Sequence, residues 1–303
     1  WLLAFSWILG DIAWTFSTGA GSAWAIDALK YAKEKSKIVS LISRGYFFEK
    51  GGHIIGGIIG FVIVAINFRF VWLAISLTNL LMMFILIFYM EERNFKPAKV
   101  PHNYLKKSLI KAKESFSYVL HKSNGELRTL LLGGFISVIA ISSFFVGVPL
   151  LLTQVLGMKP EFLAGLFSIF AVISLGATFV AEKLSHKKGI RISLIVVSLI
   201  IGISIIAFSL SPYLLLAIIA LGIFQVAETM NDILEDSARQ HEFSSKIRAS
   251  LGSLNSINWT ISNSIGVFLA GIGISFLGLI HTMIISGVLG IFVVVIYLIG
   301  LKK

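Results

Sequence analysis

The chain has 303 residues, 56% of them hydrophobic, and a mean hydropathy of +0.90. A soluble protein of that length has no interior large enough for so much apolar side chain. The net charge of +11 comes from basic residues scattered between apolar runs, so no nucleic-acid partner is expected, and the lack of cysteine excludes disulfides, thiol catalysis and Cys-ligated metals.

Apolar runs of 18 residues or more read as membrane-crossing helices, each needing about 20 residues to pass about 30 Å of hydrocarbon. Barrel strands are about 10 residues long and alternate polar with apolar; these runs are apolar all round. The fold class expected is all-α, a polytopic helical membrane protein with nine spans: 1–26, 46–66, 69–90, 129–156, 161–182, 192–210, 212–231, 249–275 and 280–301. The polar stretch 91–128 divides them into three before and six after. The domains expected are therefore a partial N-terminal bundle over 1–90, a cytoplasmic central loop over 91–128 and a six-helix bundle over 129–303.

Connections 30–44, 91–128, 183–191, 236–248 and the C-terminal tail carry 23 of the 26 Lys and Arg. By the positive-inside bias they are cytoplasmic, which puts the C-terminus inside and residue 1 outside. A cell-membrane location is expected, and the apolar start without an initiator Met reads as a cut end.

In the first span, Asp11, Thr15, Thr18 and Ser22 fall on one helical stripe. An ionised Asp in a span costs about 2.5–3.5 kcal/mol on insertion scales, so the stripe is expected to line a pathway for substrate or a coupling proton. An Asp near the outer interface is the bland alternative. Asp27, at the inner end, reads as a loop anchor pairing with a basic residue such as Arg44. In the second span Glu49, Lys50 and His53 suggest an ion pair near the inner surface, and Gly52, Gly56 and Gly60 a small-residue packing face. Within the central loop, Leu105, Leu109, Ala112, Phe116 and Val119 recur at helical spacing among four lysines. That pattern predicts an amphipathic helix against the inner membrane surface or under the bundle, or a plain solvated linker.

The seventh span carries Gln225, Glu228, Asp232 and Glu235 on a second stripe. Gln225 and Glu228 are expected on the pathway. Asp232, Glu235 and Asp236 are expected in a cytoplasmic gate network with Arg239, Arg248 or Lys246, to which Lys187 and Arg191 of the 183–191 loop belong. Asn255, Asn258 and Trp259 of the eighth span could orient a substrate or serve as interhelical glue. No histidine spacing suits a metal, and no cofactor is expected.

Shifting the sequence by 209 residues places Ser36-Lys37-Ile38 on Ser245-Lys246-Ile247, Asp27 on Asp236 and Gly57 on Gly266. Spans one to three thus match spans seven to nine, an internal repeat of the sort that places a transporter's site between its copies. Residues 17–29 and the loop Glu182 to Arg191, in which Leu184, Lys187, Gly189 and Arg191 match G-x-L-A-D-R-x-G-R-R, give the chain its name-worthy likeness. It resembles helices four to twelve of a major facilitator superfamily transporter, with three helices of the first half missing. Thr15 stands near the Arg of that family's drug/proton antiporters, and Gly52 to Phe61 lacks the Pro and last Gly of their helix-five motif; both departures weaken a proton-antiport assignment.

The resemblance implies a monomeric secondary transporter that moves a small organic solute across the lipid bilayer by alternating access. Its direction is expected to be efflux, with uptake of a small metabolite as the alternative. No phosphate-binding loop occurs for ATP-driven transport. An intramembrane aspartyl protease is disfavoured because Ile8 breaks the motif around Gly10-Asp11, and no channel filter is recognisable. The chain is not expected to be an enzyme.

Overall fold

A computed structural model of the chain describes residues 24–25, 28–29, 31–33, 38–67, 69–89, 104–121, 124–159, 161–243 and 248–301. Among them the long helices are α1 (Ile38–Ile66), α2 (Phe70–Tyr89), α3 (Tyr104–Leu120), α4 (Gly125–Leu150), α5 (Glu161–Lys188), α6 (Ile190–Ser209), α7 (Leu214–Glu242), α8 (Arg248–Leu277) and α9 (Leu279–Gly300). Past Pro149, α4 widens into a π-helical turn over Leu151–Val155.

Seven of these helices are long and apolar enough to cross a membrane: α2 and α4 to α9. They fall on seven of the expected spans. The expected span 46–66 lies within α1, and the span 1–26 lies outside the described residues. The chain is an all-α, multi-pass integral membrane protein.

Helices α4 to α9 form one bundle. α9 packs against both α4 and α6, α8 lies on α4, and α7 rests between α5 and α6. The interior is closed by Phe144, Phe208 and Phe224, with ring centroids 5.3 Å (Phe144–Phe208) and 4.8 Å (Phe144–Phe224) apart. α1 packs along α5 and reaches α7, so it is the described helix that joins the segment before the central loop to the bundle after it. α2 touches α1 and is otherwise apolar and exposed, as a lipid-facing helix is.

Several buried hydroxyls are satisfied within their own helices. Ser193, Ser209 and Thr282 donate to carbonyls one turn back, over 2.7–2.8 Å. In hydrocarbon no water is present to take that bond. Where helices press closest, glycine is required. A Cβ on Gly202 would sit 2.7 Å from the backbone nitrogen of Ile291 and 2.8 Å from the carbonyl oxygen of Gly287. α6 and α9 therefore meet backbone to backbone.

The repeat-related glycines Gly57 and Gly266 are both points of close approach, to Ser168 of α5 and to Ile139 and Ser142 of α4 respectively. By contrast, the expected packing face of Gly52, Gly56 and Gly60 meets nothing within 4 Å among the described residues. The period was right for a helix contact, but α5 approaches one residue round, at Gly57.

The central-loop helix α3 docks on the start of α8 and on α4, burying Ser115 and Val119 and leaving Lys113, Phe116 and Leu120 exposed. Val119 shares a small apolar cluster with Leu127, Phe243 and Leu251.

Candidate functional site

The polar centre of the described structure is the second half of α7. Hydropathy falls at Glu228, and the predicted span stops at 231, yet the helix continues to Glu242. Charges three and four residues apart share a helix face and pair, so this stretch stays helical after its apolar character ends. Arg239 donates through Nη1 to Glu235 Oε2 and through Nη2 to Asp236 Oδ1, each over 2.7 Å.

The remaining bonds come from other turns and other helices. Glu235 Oε1 accepts from Tyr297 of α9 at 2.7 Å and from the Asn231 side-chain amide at 3.0 Å. The Glu235 carboxylate thus has three donors, which a buried charge requires if it is not to destabilise the fold. Gly134 lets α4 close over the pair: a Cβ there would lie 3.0 Å from Glu235 Oε2 and 3.2 Å from Arg239 Nη1. On the other side, Tyr46 of α1 donates to Asp236 Oδ2 at 2.7 Å. Four of these five bonds stay within the α4–α9 bundle, and the Tyr46 bond ties the bundle to α1.

A cavity of about 470 Å³ opens beside that tie. Tyr46 and Glu49 line it from α1, Asp232, Asp236 and Arg239 from α7, and a run including Asn255, Trp259 and Thr260 from α8. It offers carboxylates, an amide, a hydroxyl and an indole face, the means to bind a small polar or amphipathic solute. Glu228 is half-buried one turn beyond Asp232, and both are within electrostatic reach of Lys50 on α1.

The structure separates the other residues singled out from sequence. Asp11, Thr15, Thr18 and Asp27 lie outside the described residues, as does the side chain of Arg248. Gln225 is half-buried on α7, where its carbonyl accepts from Thr229 at 3.0 Å. Asn258 does not line the cavity; its amide donates to the Leu131 carbonyl on α4 at 3.1 Å, an interhelical tie. Asn263 makes another, accepting from Ser142 at 2.6 Å. Arg44 and Lys187 are exposed. Among the described residues Arg191 forms no ion pair with Asp232, Glu235 or Asp236; it donates to the Leu298 carbonyl at the end of α9, at 2.8 Å.

Tyr46, Asn231 and Tyr297 were not picked out from sequence. Both tyrosines sit in runs where an aromatic reads as apolar filling. Asn231 carried one signal, its i, i+4, i+8 spacing with Glu235 and Arg239.

Among the described residues no group of His, Asp and Glu is placed to hold a metal. No curated protein matches the sequence. The sequence profile described as Major Facilitator Superfamily matches residues 1–245, most of the chain and every element of the cavity's α1 and α7 walls. The chain belongs to the Major Facilitator Superfamily, whose fold is consistent with secondary transport.

Proposed function

We propose that the protein is a secondary active transporter that exports a small organic solute by alternating access, in a cell membrane and with its C-terminus in the cytoplasm. In this reading α1 is also a span. With 1–26 it gives nine crossings, three before the central loop and six after. The observation that carries the proposal is the hydrogen bond from Tyr46 to Asp236 at the mouth of a polar cavity. Alternating access needs contacts between halves that form in one state and break in the other. A single bond between neutral phenol and carboxylate, set beside an acid network otherwise satisfied within one bundle, is such a contact. The bias of the basic connections supports reading this end as cytoplasmic, so that the bond holds the inner mouth shut.

In this mechanism Asp232, Asn255 and Trp259 receive the solute from the inner side. Glu228 and Asp11 are the carboxylates that exchange a coupling proton or ion deeper in the membrane. Membrane vesicles of both orientations test the reading. Solute accumulation in inside-out vesicles that collapses with the ion gradient and is lost in Asp11→Asn supports it. Accumulation only in right-side-out vesicles overturns the direction, and gradient-independent equilibration overturns active transport.

A further inference from the structure

A second cavity, of about 690 Å³, opens where five helices end together: the starts of α4 and α6 and the ends of α5, α7 and α9. Its walls are largely apolar, with Leu130, Ile195 and Leu298 among them. Four charged side chains line it, two of each sign: Lys188 and Arg191, and Glu126 and Glu242. Among the described residues both ion pairs are made by Arg239, so these four converge without pairing to one another. Arg191 is committed on one side only. Its Nη2 donates to Leu298, while its Nε is buried and has no acceptor. A buried guanidinium N–H left this way is stabilised when an oxygen arrives to take it.

We propose that this cup binds the headgroup of a zwitterionic phospholipid from the adjoining leaflet. The phosphate takes the Arg191 Nε proton and the charge of Lys188, and the ammonium faces Glu126 and Glu242. The glycerol and upper acyl carbons lie on Leu298 and Ile195, and the half-exposed Ile192 leads outward to the hydrocarbon. Charge balance selects the class: a net anionic headgroup would meet two carboxylates with no cation to offer them. Position selects the source, because helix ends lie at headgroup level and two of the cup's apolar side chains, Ile192 and Leu298, are also half-exposed. The proposal needs only that the chain is membrane-embedded and is independent of what it transports.

The test is native mass spectrometry of the full-length protein in mild detergent. It is titrated with phosphatidylethanolamine, phosphatidylcholine and phosphatidylglycerol of identical chains, with water-soluble glycerophosphoethanolamine as competitor. Wild type is expected to retain the two zwitterionic lipids over the anionic one. Arg191→Gln weakens that retention roughly tenfold, the loss of one charge-assisted hydrogen bond. The variant Glu126→Gln/Glu242→Gln is expected to reverse the preference towards phosphatidylglycerol, a gain that misfolding does not produce and that keeps the test open if Arg191→Gln is unstable. Equal or tighter binding of phosphatidylglycerol by wild type overturns the proposal, as does an unchanged ranking in the double variant. Displacement of bound lipid by millimolar glycerophosphoethanolamine also overturns it, by moving the site to a soluble phosphodiester.

Discussion

Replacing Tyr46 with Phe removes one oxygen and leaves the ring, so its effect isolates the bond to Asp236. A hydrogen bond to a charged group contributes about 1.5–3 kcal/mol net. If that bond exists only while the inner mouth is closed, its loss shifts the closed–open equilibrium by roughly 10- to 150-fold. The sequence contains no cysteine, so a single Thr260→Cys change puts a unique thiol on the cavity wall without further engineering. The assay is the rate at which a membrane-impermeant maleimide, applied from the cytoplasmic face, modifies that thiol. Tyr46→Phe should raise the rate by at least tenfold, and Asp236→Asn should do much the same. The double variant should add little, because both changes break the same contact to α1, and the Arg239–Asp236 pair that Asp236→Asn also weakens lies within α7. A rate within twofold of the Tyr46 parent refutes the gate, and so does full additivity of the two changes.

Other expectations concern stability and the division of labour among polar residues. Glu235→Leu leaves the Arg239 guanidinium buried with one carboxylate fewer, and should cost about 3–5 kcal/mol in resistance to thermal unfolding in detergent; Tyr297→Phe should cost about half as much or less, and equal losses would contradict the network. Gly202→Val drives a side chain into the α9 backbone and should lower thermal stability by at least about 1–3 kcal/mol, where an unchanged melting temperature would mean that α6 and α9 do not touch. Asn258→Ala should lose about 1 kcal/mol of stability and leave solute affinity unchanged, whereas Asn255→Ala should weaken solute binding at unchanged stability; the reverse pattern would exchange their roles.

The membrane helices were legible because a long apolar run has few other physical outcomes, and seven of them stand where hydropathy puts them. Where the pattern ran out is instructive. The extent of α7 was hidden because hydropathy registers Glu235 and Arg239 as two losses, while their pairing inside one helix keeps the backbone helical and the charges buried. Sequence offered Lys187 and Arg191 as one basic loop motif, yet Lys187 is exposed and Arg191 caps a carbonyl of α9. That difference depends on where a distant helix ends. The glycine stripe in α1 announced a close contact but not its partner, and the neighbour came at Gly57. For the cavity, sequence supplied Asp232, Asp236, Asn255 and Trp259 and not Tyr46, since a phenol declares its partner only when a carboxylate arrives beside it.

The crossing helices are of very unequal length. The apolar part of α2 has 19 residues, a rise of about 28 Å, while α4 with its π turn has 31 residues, or about 46 Å. A hydrocarbon layer of about 30 Å suits the first upright and forces the second to lean or protrude. Thickening the bilayer would strain α2 and the 20-residue α6 first and relieve α4, so lipids of graded chain length should change the protein's activity through the mismatch between its short and long crossing helices.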